Sequence, residues 1–174
     1  MRSMILAAVC LFIGPLACPL QAQEPQSPGA EHKELAELTG TWDATMKMAD
    51  GAEVKGESIF KVTCGGMWVE SDFYADFGGL KFHGKGLDGY DATKKQYVAV
   101  WVDSMSGTPM IMHGTKEGKV TTMVGEGTGP QGIARYKSIT TNESADRMSF
   151  KMMMLDGEKE QEVMTITYTR RAKK

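Results

Sequence analysis

Six consecutive residues, Gly84-Lys85-Gly86-Leu87-Asp88-Gly89, match the Gly-x-Gly-x-x-Gly fingerprint that cradles a dinucleotide pyrophosphate. That chemistry needs a strand feeding straight into a helix, so that backbone N–H groups at the helix N-terminus face the phosphates. Only residues 90–95 separate the last glycine from Gln96-Tyr97-Val98-Ala99-Val100-Trp101-Val102, a run of strand composition. The glycines are therefore read as barrel bends and a turn, and nucleotide binding is rejected. Asp103, Ser104 and His113 are the residue types of a hydrolase triad. Neighbours on a strand point to opposite faces, so Asp103 and Ser104 do not converge on one imidazole, and no Gly-x-Ser-x-Gly elbow is present. Asp103 reads instead as a polar residue near a strand end.

His32, His83 and His113 are too scattered for a His-x-His or His-x-x-x-His pair, so no metal site is expected. A haem needs a single axial His, which His83 or His113 could supply, although no cofactor is the primary expectation. Methionine is unusually frequent, with 14 residues, and Met46-x-Met48, Met110-x-Met112 and Met152-x-Met154 each place two thioethers on one strand face. Thioethers suit Cu(I), but an alternating strand must also present something apolar to the core, and Met is a pliable filler. The candidate lining of a small-molecule pocket is Trp68, Glu70, Asp72 and Tyr74 on a third strand, Phe82 on a fourth and Trp101 and Asp103 on a fifth. Met112 and Met152 complete it, giving apolar walls with a few convergent polar groups. On the fifth strand Val98, Val100 and Val102 make the opposite face equally apolar.

The elements that position these residues follow from periodicity. Residues 31–38 form a short helix with Leu35 and Leu38 one turn apart, stopped by Gly40. From Thr41 the period becomes two: Trp42, Ala44, Met46 and Met48 alternate with polar residues. Asp50-Gly51 is a hairpin signal, and residues 52–64 repeat the alternation. Turn signals then recur at Gly65-Gly66, Gly78-Gly79, 88–95, 106–109, 116–119, 127–132, 142–146 and Asp156-Gly157, which makes ten strands. Turns this short leave no room for crossover helices, so neighbours are antiparallel. Closing the meander removes both edges. The expected fold is all-β: a closed up-and-down antiparallel barrel of about ten strands, with the helix capping one end.

Arg2, the apolar residues 4–16 and Pro19-Leu20-Gln21-Ala22 read as a signal peptide over 1–22, cleaved after Ala22 and directing a secreted or periplasmic location. The apolar run is shorter than the ~20 residues of a spanning helix, so no membrane span is expected. Lipoprotein anchoring at Cys18 is disfavoured, because Pro15 stands where such sites carry Leu. Residues 23–30 read as a disordered tether, and 31–174 as a single barrel domain. Beyond the leader only Cys64 remains, read as a small buried hydrophobe, so the core carries stability without a disulfide. A net charge of −2 provides no positive field for a nucleic-acid partner.

A short helix leading into Gly40-Thr41-Trp42 resembles the lipocalin and calycin entry. Such barrels typically pack a basic residue of the last strand across that Trp, here Arg170 of Tyr168-Thr169-Arg170 against Trp42, as the structural closure. Over nearly the whole chain after the leader the sequence is similar to the bacterial family called domain of unknown function 1579. The residues that carry this are Gly65-Gly66 with Trp68, Phe82-x-Gly84-x-Gly86-x-x-Gly89-Tyr90-Asp91, Tyr97-Val98, Trp101-Val102-Asp103-Ser104-Met105 and Asp156-Gly157-Glu158. The resemblance implies the barrel and brings no activity, ligand or catalytic residue.

Four functional expectations result. The first is an exported, non-enzymatic barrel whose partner is a small lipophilic molecule in the lumen. The others are a solid-core barrel acting through its outer face, an enzyme using Glu70, Asp72 or Asp103, and a Cu(I)- or haem-binding periplasmic protein. Oligomeric state is left open.

Overall fold

The computed structural model describes residues 26–172. The signal peptide expected over 1–22 and the start of the tether lie outside the described residues. A helix, α1 (Ala30–Ala36), precedes ten strands: β1 (Gly40–Met48), β2 (Glu53–Thr63), β3 (Trp68–Phe77), β4 (Leu80–Asp91), β5 (Gln96–Asp103), β6 (Ser106–Glu117), β7 (Val120–Gly129), β8 (Gly132–Ser144), β9 (Arg147–Asp156) and β10 (Lys159–Arg170). Each strand pairs antiparallel with its sequence neighbours, and β1 pairs with β10 to close the barrel. Among the described residues no helix is long and apolar enough to cross a membrane.

Local chemistry explains the turns. Gly78 and Gly79 both have positive φ, 68° and 102°, as a tight mirror-image hairpin turn between β3 and β4 requires, and Asp76 accepts the Gly79 N–H. Asp91 does the same at the next turn, accepting the N–H groups of Thr93 and Lys94 at 2.9 and 3.0 Å. Pro109 lies inside β6 rather than in the turn expected at 106–109. It lacks an N–H, and the β5–β6 register shifts between Trp101 and Asp103, so Pro109 has no ladder partner to disappoint.

Helix α1 is shorter than expected and ends at Ala36, with single tight turns bonding Leu38 to Leu35 and Thr39 to Ala36. Gly40 is therefore not its stop but the first residue of β1, at φ 138°, where a Cβ would come within 2.9 Å of Arg170 Nη1. Cys64 is exposed, which corrects the buried reading. With φ 48° it begins three successive residues of positive φ that turn the chain at the surface between β2 and β3.

Closure joins the first strand to the last. Trp42 stands opposite Arg170 in the β1–β10 ladder, and the guanidinium lies 4.1 Å from the indole centroid. Trp42 is buried and donates its Nε1–H to the Leu38 carbonyl at 2.9 Å. Arg170 donates to the carbonyls of Glu37, Thr39 and Ala145 at 2.8, 2.6 and 2.8 Å. These carbonyls belong to the link after α1 and to the β8–β9 turn, which no ladder satisfies.

Inside the barrel the apolar side chains form two clusters. One gathers Trp42, Met46, Phe60, Phe73 and Ile166 on the β1–β3 and β10 side. The other gathers Tyr97, Met112, Met123, Tyr136 and Met152 on the β5–β9 side.

Candidate functional site

Between the two clusters lies a cavity of about 450 Å³. Its walls are built by alternation. On β4 the inward residues are Phe82, Gly84, Gly86 and Asp88, and on β5 Trp101 and Asp103 face in while Val102 is exposed on the outer surface. The sequence ambiguity of β5 is thereby resolved, and the reason is space. A Cβ on Gly84 would lie 2.1 Å from Trp101 Cζ2, and one on Gly86 would lie 3.5 Å from Trp101 Cε3, so the two glycines make the floor on which the indole rests. Gly89 does the same on the outer face, where a Cβ would lie 2.6 Å from Trp68 Cε3. The fingerprint-like glycines sit within a continuous strand at ordinary φ, seating one indole inside the barrel and one outside. They are not the turn that was expected.

Five of the candidate lining residues, Phe82, Trp101, Asp103, Met112 and Met152, border the cavity. Trp68, Glu70 and Tyr74 do not, and neither does Asp72, so the expectation for β3 is corrected. The inward face of β3 carries Val69, Ser71, Phe73 and Phe77. Charge settles this parity. Glu70 and Asp72 meet Lys85 of β4 on the outside, with Asp72 to Lys85 Nζ at 3.0 Å and to His83 Nε2 at 3.1 Å. Lys85 and then His83 hold the Asp72 carboxyl below the usual range. Tyr74 stacks on His83 at 4.7 Å between centroids. His83 and His113, the residues considered as haem ligands, are thus outer-face groups, and no histidine borders the cavity.

The cavity is chemically polarised along its length. At the end opposite α1, Phe77, Phe82, Trp101 and Met110 make apolar walls. Asp103 lies there too, but both of its oxygens are engaged: Oδ2 accepts Trp101 Nε1–H at 3.0 Å and Oδ1 accepts the Met105 N–H at 2.8 Å. At the α1 end, Leu35 and Leu38 close the lumen and polar groups gather: Asp88 near the end of β4, Asn142 near the end of β8 and Tyr168 near the end of β10. Burial among the walls pushes the Asp88 carboxyl up to about 6. Burial, and then the charge of Asp88, raises the Tyr168 phenol. The amide oxygen of Asn142 is buried without a hydrogen-bond partner. Beside them Glu34 of α1 bridges to Lys116 of β6 and accepts the Tyr97 hydroxyl of β5 at 3.1 Å, fastening the helix across the barrel end.

Asp88 and Asn142 were assigned to turns, because Asp and Asn favour them. The signal that places Asp88 is its parity: it is two residues past Gly86 and six past Phe82, on the same face.

The fold and cavity define a class, the closed ten-stranded antiparallel barrel with a predominantly apolar lumen. Within it, the chain belongs to the family described as protein of unknown function (DUF1579), which it matches over residues 27–170. Among solved structures it is similar to Rv2717c from M. tuberculosis, at 16% identity and a TM-score of 0.57, over 83% of this chain and 99% of that one. It is also similar to the S-type phycobiliprotein lyase CPES from Guillardia theta, at 10% identity and a TM-score of 0.52, over 83% of this chain and 94% of that one. At such identities the likeness is one of fold. A search of the curated proteins finds no match.

Proposed function

We propose that this protein is an exported barrel that holds a small apolar or amphipathic molecule in its lumen, acting by binding rather than catalysis. One observation carries the reading: the barrel keeps a cavity of about 450 Å³ between its two core clusters, bordered by rings and thioethers with a few polar groups at one end. Ligand pockets have this composition and run ~300–1,000 Å³. Keeping such a space forgoes packing contacts that would otherwise stabilise the fold. Support for binding over catalysis comes from the three carboxylates that an enzyme was expected to use, since Glu70 and Asp72 are ion-paired outside and Asp103 is occupied by Trp101 and Met105. Support for export comes from Arg2, the apolar residues 4–16 and Ala22.

The test is titration with the neutral lipophilic dye N-phenyl-1-naphthylamine, read by dye emission, tryptophan quenching and native mass spectrometry. Ala99 borders the cavity and Val102 is exposed on the outer face of the same strand. Ala99→Trp is expected to weaken dye binding at least about tenfold, and Val102→Trp to leave it unchanged. Unchanged fluorescence in the wild-type protein, with native spectra showing bare protein alone, refutes the reading.

A further inference from the structure

Of the three carboxylates that border the cavity, Asp103 has both oxygens occupied and Glu34 is held by Lys116 and Tyr97, whereas Asp88 has neither an ion-pair nor a hydrogen-bond partner among the described residues. Asp88 stands between Val69 of β3 and Ala99 of β5 in the two ladders, with apolar neighbours on either side. An anion in such a place is costly unless something pairs with it.

Among the described residues, no unpaired ammonium or guanidinium lies against Asp88. On β3 the charged residues Glu70 and Asp72 point outward to Lys85. Tyr90 and Tyr97, on β4 and β5, and Tyr168 on β10 are phenols. On α1, His32 Nδ1 accepts the Gly29 N–H at 3.1 Å, Glu34 is bound to Lys116, and Glu31, Lys33 and Glu37 line an outer cleft. Lys116, the ammonium of this end of the cavity, is thus already neutralised by Glu34. Two buried polar atoms lack a partner among the described residues: His32 Nε2, whose ring packs edge-on against Tyr90 and does not border the cavity, and Asn142 Oδ1, an acceptor that does. The register puts Asn142, Met148 and Tyr168 in one row across β8, β9 and β10, on the strand ends that share the α1 side with Asp88.

We infer that the lumen selects amphiphiles bearing a protonated amine, with the ammonium on Asp88 at the α1 end and the apolar body along the Phe and Met walls towards the opposite end. The inference rests on the lumen being a binding site and adds the class of head group. A carboxylate head would meet Asp88 as a like charge. An alcohol would leave the carboxylate short of a cation, while an ammonium supplies both charge and donors. Because burial places the Asp88 carboxyl near 6, protons and the amine compete for it, and preference for the amine falls as the pH drops through that value.

The experiment is displacement of N-phenyl-1-naphthylamine by dodecylamine, dodecan-1-ol and dodecanoate below their micellar concentrations, at pH 7.5 and pH 5.0, in the wild-type protein and in Asp88→Asn. At pH 7.5 dodecylamine is expected to bind about ten- to a hundredfold more tightly than dodecanol, as a charge-assisted hydrogen bond implies. The margin should shrink several-fold at pH 5.0 and vanish in Asp88→Asn. Equal affinity of amine and alcohol at pH 7.5, strongest binding by dodecanoate, or failure of the amine to displace the dye overturns the head-group assignment while leaving lumen binding intact. Failure of the dye and all three chains to bind overturns both. If Asp88→Asn does not fold, as its melting curve reports, the wild-type comparison at the two pH values decides alone.

Discussion

A single methyl group on Gly84 should expose how the lumen is built. The Cβ of Gly84→Ala would lie 2.1 Å from Cζ2 and 2.5 Å from Cη2 of Trp101, inside van der Waals contact with a rigid ring. The indole must therefore rotate as a whole into the cavity, giving up its 3.0 Å hydrogen bond to Asp103. Overpacking costs about 1–3 kcal/mol, and the lost bond to a carboxylate about 1.5–3 kcal/mol where it is fully withdrawn from water. Two terms offset this: replacing Gly by Ala inside a strand returns about 0.5–1 kcal/mol, and the cavity gives the ring somewhere to go. A net loss of about 2 kcal/mol follows, which for a domain of this size is about 4–8 °C in Tm. Thermal unfolding followed by tryptophan emission measures it, with Gly107→Ala as control, since a Cβ at Gly107 meets nothing within 4 Å. In a Trp101→Leu background the Gly84→Ala penalty should nearly disappear, giving a coupling of at least about 1 kcal/mol in a double-mutant cycle. Equal melting of Gly84→Ala and Gly107→Ala, or additivity in the cycle, would refute the packing account.

Two further outcomes are expected. Arg170→Lys keeps the charge but loses the planar fork that donates to the carbonyls of Glu37, Thr39 and Ala145, so stability should drop by about 1–3 kcal/mol. Hydrogen exchange should rise at residues 37–41, and exchange there identical to wild type would sink the idea. Asp88→Asn should alter the pH dependence of stability. The folded carboxyl holds its proton up to about pH 6 while the unfolded one releases it near 3.8, so the wild-type protein loses stability as pH rises through that window. The loss is up to about 3 kcal/mol, less where water in the lumen solvates the charge. Denaturant midpoints should then show Asp88→Asn more stable than wild type at pH 7.5 and close to it at pH 4. Coincident midpoints at both pH values count against a desolvated Asp88.

The ladder arrangement was legible because its signals are local. Asp50-Gly51, Gly78-Gly79 and Asp156-Gly157 each act within a few residues, and a chain of short hairpins allows only antiparallel neighbours. Trp42 against Arg170 was legible as well, through the resemblance of Gly40-Thr41-Trp42 to the lipocalin and calycin entry. The parity of β3 was not. Trp68 and Tyr74 on one face and Phe73 and Phe77 on the other give the strand two aromatic sides, and the better clue was that Glu70 and Asp72 share the side with Trp68. Likewise, α1 stops before Gly40 because that glycine is needed beside Arg170, a residue 130 positions away in the chain.

Periodicity and turn chemistry in the sequence alone thus determined ten strands and their antiparallel order, since each hairpin depends on contacts between near neighbours, while the closing of the sheet was expected because it removes both edges. Tertiary structure alone decided that the lumen is partly empty and that Asp88 and Asn142 extend strands into it. Pairing with Val69 and Ala99 on one side of the barrel, and with Met148 on the other, overrides the turn preference of Asp and Asn. The volume left inside is a sum over side chains from all ten strands, which no local pattern encodes.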